Sequence, residues 1–229
     1  NGTTAGQIEA AIGDRTAAIS YLGGVEGQPG VVPLQQVLDI AQRSGVAVLL
    51  DSAYEVYPLE KMCDRANSGA ELVCFGGKYV GAPHSTGFIC GKKKFVEAAR
   101  LNNFIAHDLN QNTNLGRGYK VDRQEVMAVV AAVKEWFTMN HEDRYAEEEK
   151  NIQSIINGLD DLPYIKCEVD WIGNGRNLHL KITIDEQGLG KNGIEISEQL
   201  KKGDPAIHLI AENNTLTILV HLLKDAQVQ

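Results

Sequence analysis

A lysine inside a glycine-rich turn stands 27 residues after an aspartate that closes an apolar run. The aspartate is Asp51, in Val46-Ala47-Val48-Leu49-Leu50-Asp51-Ser52-Ala53, and the lysine is Lys78, in Phe75-Gly76-Gly77-Lys78-Tyr79-Val80-Gly81-Ala82-Pro83. A lysine amine that loses its charge attacks a carbonyl and forms a Schiff base, and lysine shifts its protonation readily when desolvated. A carboxylate beside a protonated aromatic nitrogen keeps that nitrogen charged, because an opposite charge favours the charged form. Together the two groups meet the needs of pyridoxal phosphate (PLP): a Schiff-base lysine and an acid for the pyridinium nitrogen. An acid after five apolar residues emerges at the carboxyl end of a strand, where ligands bind in open α/β sheets. The glycines admit close approach of the backbone to a flat cofactor. Singly, each residue has an ordinary reading as well: a solvated lysine in a polar turn, and an aspartate capping a helix.

The wider context distinguishes these readings. Asp51-Ser52-Ala53, then Gly69-Ala70-Glu71-Leu72-Val73-Cys74-Phe75-Gly76-Gly77-Lys78, then Gly81-Ala82-Pro83-His84-Ser85-Thr86-Gly87 resembles the fold-type-I PLP-dependent enzymes. The similarity is to the group around bacterial selenocysteine synthase (L-seryl-tRNA selenium transferase) and D-glucosaminate-6-phosphate ammonia-lyase. Leu115-Gly116-Arg117-Gly118-Tyr119-Lys120-Val121 is similar to that group's Gly-Arg-x-x-Lys-Val segment.

The resemblance implies an α/β chain: part of an aspartate-aminotransferase-like large domain over residues 1–121, a long interdomain helical segment over 122–159, and a small α+β domain over 160–229. It implies PLP as cofactor, with Lys78 and Asp51 catalytic. Ala53 and Gly77 would lie against the ring, and Ser85 and Thr86 near the phosphate, shared across a homodimer or higher oligomer. Arg117 would bind a substrate carboxylate or phosphate, which an arginine fork grips bidentately. The implied reaction is α-proton abstraction and β-elimination on an amino acid or amino-sugar acid, ending in an oxo acid and ammonia. A tRNA-dependent selenium transferase and an inactive relative of the same fold are the alternatives. The group often carries Gln or Asn at the place of His84, and a serine just before the lysine where this chain has glycine. The chain opens on Asn1-Gly2-Thr3-Thr4, and the resemblance implies that an N-terminal part of the large domain precedes it.

Composition bears on these alternatives. Lys+Arg number 22 against 30 Asp+Glu, a formal net charge of −8. Phosphate contacts dominate nucleic-acid affinity, so this balance argues against a tRNA substrate and for a small molecule. The one basic run, Lys92-Lys93-Lys94, reads as a solvated helix start. Four scattered cysteines without paired spacing argue against a metal site and for reduced thiols in a cytoplasmic protein. No apolar run reaches the roughly 18 residues that span a bilayer.

The elements that must position the pair follow from periodicity. Residues 5–12 read as a helix. Residues 16–22 and 46–50 read as strands flanking a helix that Pro33 opens and Ser44-Gly45 ends, a βαβ unit. The uninterrupted apolar run at 46–50 predicts a strand buried on both faces. Residues 72–75 and 87–90 predict strands on either side of the Lys78 turn, with a helix over 94–101. Residues 102–118, carrying Asn102, Asn103, His107, Asp108, Asn110, Gln111, Asn112 and Asn114, predict a long loop beside the site. Helices follow from Val126 and over 142–159. Strands are predicted at 165–171, 178–184, 206–211 and 215–220, with a helix over 194–202. His107, His141, His179, His208 and His221 read as scattered structural or exposed residues.

Overall fold

Three short apolar segments pair side by side: β1 (Ala18–Leu22), β2 (Ala47–Asp51) and β3 (Leu72–Gly76) run parallel, and β4 (Gly87–Gly91) returns antiparallel to β3. The computed structural model describes residues 2–109, 115–172, 177–223 and 225–228. It divides into two units, Asn1–Met139 and Asn140–Gln229. The helix predicted from Val126 belongs to the first unit and the helix predicted over 142–159 to the second.

In the first unit, α1 (Ala5–Ala11) starts at a capping box between Thr4 and Gln7. α2 (Leu34–Ser44) follows Pro33 and stops at Gly45, whose φ of 68° is the left-handed conformation glycine tolerates. Its apolar stripe, Leu34, Val37, Ile40 and Ala41, is buried. α3 (Leu59–Ala66) fills the stretch between β2 and β3, and a 3-10 turn (Gly77–Val80) carries Lys78. α4 (Lys93–Leu101) and α5 (Phe104–Asp108) come after β4, then α6 (Arg123–Thr138).

Burial corrects one expectation. Tyr21, Val48, Leu50, Val73 and Phe75 form one face of the sheet and pack with Val37, Ala41 and Trp136. The alternate positions are different: Leu22, Leu49 and Ile89 are exposed, Leu49 at 38%. β2 is therefore buried on one face only, because α2 and α6 supply core residues to a single side. Asp51 shares the open face with Leu49, since side chains two apart in a strand point the same way. At the amino end of the strands, Glu71 accepts the Val48 N–H at 2.7 Å and the Lys92 ammonium at 2.6 Å. The first lysine of the basic run is thus tied to the sheet.

The predicted loop over 102–118 contains α5. The Asn103 side chain accepts the Ala106 N–H at 3.0 Å, so an asparagine read as a loop residue instead caps a helix. Asn110, Gln111, Asn112 and Asn114 lie outside the described residues.

The second unit holds α7 (His141–Leu159), β5 (Ile165–Ile172), β6 (Asn177–Ile184), α8 (Glu186–Leu189), α9 (Gly193–Leu200), β7 (Ile210–Glu212), β8 (Thr215–Leu219) and α10 (Asp225–Val228). Its strands pair antiparallel in the order β5-β6-β8-β7. Leu178, Leu180, Ile182, Ile184, Leu216 and Val220 pack with Ile152 of α7. β7 starts later than predicted, because the Ile207 N–H bonds the Leu200 carbonyl at the end of α9 at 3.0 Å and not a strand.

His179 is buried on β6 and stacks with His221, ring centroids 6.2 Å apart. Burial pushes the His179 imidazole below its ordinary range against the opposing pull of Asp170. Burial, His179 and Arg144 push His221 down as well. A histidine depressed in the folded state stabilises above its unfolded value, and that stability is lost as pH falls through the folded one. Amide protection along β6 is therefore expected to fall between pH 7 and 5, the interval about the ordinary imidazole value near 6.5. His179→Phe is expected to flatten that fall; an equal fall in the variant would refute the assignment.

Candidate active site

The two chemical residues sit at the same end of adjacent parallel strands. Asp51 is the last residue of β2 and pairs in register with Leu22 of β1 and Cys74 of β3. Lys78 lies two residues beyond β3, on the 3-10 turn. Both therefore stand at the carboxyl edge of the sheet, where strand ends leave backbone groups and side chains free for a ligand.

The Asp51 side chain is oriented from two directions. Its Oδ1 accepts the Ala53 N–H at 3.1 Å, an Asx-type turn, and the Cys74 thiol at 3.6 Å, a reach suited to sulfur. Oδ2 carries neither bond. Burial and the neighbouring carboxylate raise the Cys74 thiol above its ordinary value, so it remains a neutral donor. The turn after Asp51 is held to its neighbours: the Gly23 N–H donates to the Asp51 carbonyl at 2.7 Å and the Ser52 N–H to the Cys74 carbonyl at 3.0 Å.

The lysine turn is fixed to that same structure. The Gly76 N–H donates to the Ala53 carbonyl at 2.9 Å and the Gly77 N–H to the Thr86 carbonyl at 2.8 Å. Gly77 is needed for space, because a Cβ there would collide with the Thr86 hydroxyl and backbone. Lys78 is exposed, with its ammonium over the Tyr79 ring. The bond from Gly76 to Ala53 thus joins the turn after Asp51 to the turn that carries Gly77 and Lys78.

The remaining sequence candidates have partners of their own. The Thr86 hydroxyl donates to the Pro83 carbonyl at 2.6 Å, and the Ser85 hydroxyl to the Glu125 carboxylate of α6 at 2.6 Å. That bond holds the Glu125 carboxyl below its usual range. To reach a phosphate, either hydroxyl must turn from its acceptor. Arg117 sits in a turn beside α5, its Nε 3.4 Å from Asp108, which Lys120 also approaches at 3.5 Å. His84 is exposed.

Glu55 is the residue that sequence reasoning missed. It is 2% exposed and lies four residues past Asp51. It accepts the Ser52 hydroxyl and the Arg65 guanidinium, each at 2.9 Å, and pairs with Lys61 at 2.8 Å. Arg65 also reaches Glu26 at 2.7 Å. Burial raises the Glu55 carboxyl, and the hydrogen bonds from Arg65, Lys61 and Ser52 outweigh it, holding the group below its ordinary value. A signal existed: Lys61 and Arg65 are four apart, which places two cations on one face of α3 facing an acid flanked by Tyr54 and Val56.

Solved structures settle the fold. D-glucosaminate-6-phosphate ammonia-lyase superposes over 100% of this chain and 58% of its own, with a TM-score of 0.77 at 20% identity. The chain has the fold-type-I, aspartate-aminotransferase-like fold. The serine palmitoyltransferase of Sphingomonas wittichii matches more loosely, at a TM-score of 0.50 and 15% identity over 98% of this chain and 56% of its own. In sequence, the chain is 29% identical over 214 residues to the 5'-C-glycyluridine monooxygenase-decarboxylase of a Streptomyces species. It is 24% identical over 211 residues to the D-glucosaminate-6-phosphate ammonia lyase of Salmonella typhimurium (strain 14028s / SGSC 2262). Each match covers 91% of this chain, and 50% and 52% of the relative. The chain thus spans about half the length of the curated relatives it matches. No protein-family model matches it. Within that fold, Asp51 ends β2, and Lys78 lies two residues past the end of the neighbouring parallel strand β3.

Proposed function

We propose that this chain forms part of a PLP-dependent lyase that removes an α-proton and eliminates a β-substituent from an amino acid or amino-sugar acid. The observation that carries the reading is the pairing of strand ends: Asp51 with one carboxylate oxygen anchored, and Lys78 exposed on the adjoining turn, the two turns joined by the bond from Gly76 to Ala53. The residues present suit the cofactor. Asp51 Oδ2 is left to meet a ring N–H, the small Ala53 leaves room for a flat ring, and Gly77 brings the backbone close. Bound PLP supplies an electron sink for the charge left at the substrate's Cα.

Lys78 Nζ is the group that holds the cofactor and then takes the Cα proton as general base. Asp51 keeps the ring-nitrogen proton in place. Arg117 would bind a substrate carboxylate or phosphate by exchanging Asp108 for it. Ser85 and Thr86 are the hydroxyls proposed for the cofactor phosphate, in a homodimer or larger assembly within the cytoplasm. The amino-sugar acid class rests on the relative named D-glucosaminate-6-phosphate ammonia lyase, and the acidic balance of the chain favours a small-molecule substrate over a nucleic acid. Among the described residues no helix is long and apolar enough to cross a membrane.

A second reading is favoured by the 29% identity to a relative named as a monooxygenase-decarboxylase, of which only the decarboxylation is carried over. In it the Cα bond broken runs to the carboxylate, and the same Asp51 holds the ring proton. Release of ammonia and an oxo acid distinguishes the first reading, and release of carbon dioxide the second.

The deciding experiment adds PLP to the purified chain, records the visible spectrum, reduces with borohydride and maps the labelled peptide by mass spectrometry. The expected result is an absorption band whose reduced label resides on Lys78. Label scattered over surface lysines would remove the reading.

A further inference from the structure

The Lys78 ammonium lies 4.9 Å from the centroid of the Tyr79 ring. That ring is itself held. A Cβ built on Gly76 would come within 2.9 Å of its Cδ2, so the ring rests against the Gly76 backbone. Tyr54 meets it edge-on, centroids 6.4 Å apart at 65°. The Tyr54 hydroxyl donates to the Gly23 carbonyl at 3.1 Å, and a side chain on Gly24 would collide with the Tyr54 ring. Tyr79 is thus braced from the ends of β1 and β3, and its face is the surface that Lys78 meets.

We propose that Tyr79 is a positioning residue: its ring is the resting place of the Lys78 ammonium in the cofactor-free chain. The proposal rests on the reading that Lys78 carries PLP. Were the cofactor to bind, the Lys78 ammonium would have to leave the ring and give up a proton, its nitrogen would bond the aldehyde carbon, and the aldehyde oxygen would leave as water; no electrons are gained or lost overall. A cation over an aromatic face is attracted by the ring quadrupole. The Tyr79 ring therefore favours the charged, unbonded lysine and opposes its capture of the cofactor.

The sign of this effect separates it from simple support of the turn. At a partly exposed site such a contact changes an equilibrium by roughly two- to fivefold. In the cofactor-free chain, the rate at which trinitrobenzenesulfonate labels Lys78, mapped by mass spectrometry, is expected to rise roughly two- to fivefold in Tyr79→Leu. Tyr79→Phe, which keeps the ring and loses only the hydroxyl, is expected to match the parent. Tyr79→Leu is also expected to hold PLP on Lys78 more tightly by the same factor, whereas a damaged turn would hold it more weakly. Unchanged or slower labelling, or weaker PLP capture in Tyr79→Leu, overturns the proposal. If the parent chain takes no PLP onto Lys78, the function reading fails, and the effect on cofactor capture fails with it. The labelling comparison, which uses no cofactor, still decides whether the ring holds the ammonium.

Discussion

Lys78→Ala is expected to lower turnover by about 10²–10⁴ while leaving the thermal midpoint nearly unchanged. The rate loss follows from the role proposed for Lys78, an amine that would both bond the cofactor and move the Cα proton. The unchanged stability follows from where the side chain sits. Lys78 is exposed on a 3-10 turn whose backbone is fixed by the Gly76–Ala53 and Gly77–Thr86 hydrogen bonds, none of which needs the lysine side chain. Exposed substitutions away from caps and buried networks shift stability by about 0.5 kcal/mol or less. Other lysines are poor substitutes: Lys92 is tied to Glu71 at 2.6 Å, and Lys120 lies 3.5 Å from Asp108. A small primary amine added to Lys78→Ala is expected to restore part of the rate, because it returns a base to the vacated space. Turnover equal to the parent would remove Lys78 from the chemistry. A loss accompanied by a large drop in midpoint would point to a structural role.

Glu55→Gln is expected to have the opposite profile, destabilising the first unit by about 3–5 kcal/mol. The carboxylate is buried and receives Arg65, Lys61 and the Ser52 hydroxyl. Removing its charge leaves two cations facing a neutral amide in a site withdrawn from water, and an uncompensated buried charge is costly. Glu26 still pairs with Arg65, so the loss falls mostly on Lys61 and on the anchoring of Ser52. Urea unfolding measures the change directly, with the midpoint moving at constant slope. The pH dependence offers a second check. The folded Glu55 carboxyl is held below its ordinary value, so its contribution is present at neutral pH. It is lost as pH falls from the ordinary carboxylate range through the lower folded value. Glu55→Gln is expected to flatten that acid limb. A change below about 1 kcal/mol would class the network with exposed ion pairs.

The network bears on the site because it lies beneath it. Ser52 follows Asp51 directly, and its hydroxyl is held by Glu55 while its N–H bonds the Cys74 carbonyl. A carboxylate in the role proposed for Asp51 needs an orientation fixed to within a fraction of an ångström, which packed and hydrogen-bonded neighbours supply. Cys74 contributes from the other strand through its thiol on Asp51 Oδ1.

Local pattern carried much of this molecule. Five apolar residues before Asp51 are enough for a strand with an acid at its carboxyl end, because strand formation and side-chain alternation depend on neighbours in sequence. The Pro33 start and Gly45 stop of α2 are read from residues whose backbone preferences are intrinsic. The glycines before Lys78 marked a tight turn for the same reason, and residues 178–184 read as a strand. Partners far apart in the chain had no such signal. Ser85 meets Glu125 across 40 residues. Asp51 takes the Cys74 thiol across 23 residues, and the Tyr79 ring finds Tyr54 only because β2 and β3 end side by side. The open face of β2 belongs to the same class: an apolar run reports that side chains shun water, not how many layers arrive to cover them. Residue type and spacing along the chain determined which groups could do the chemistry and which strands would carry them. The tertiary structure alone decided which oxygen of Asp51 is free, which acid is buried under it, and which ring receives the Lys78 ammonium. Those outcomes depend on distances across strands, which no local preference encodes.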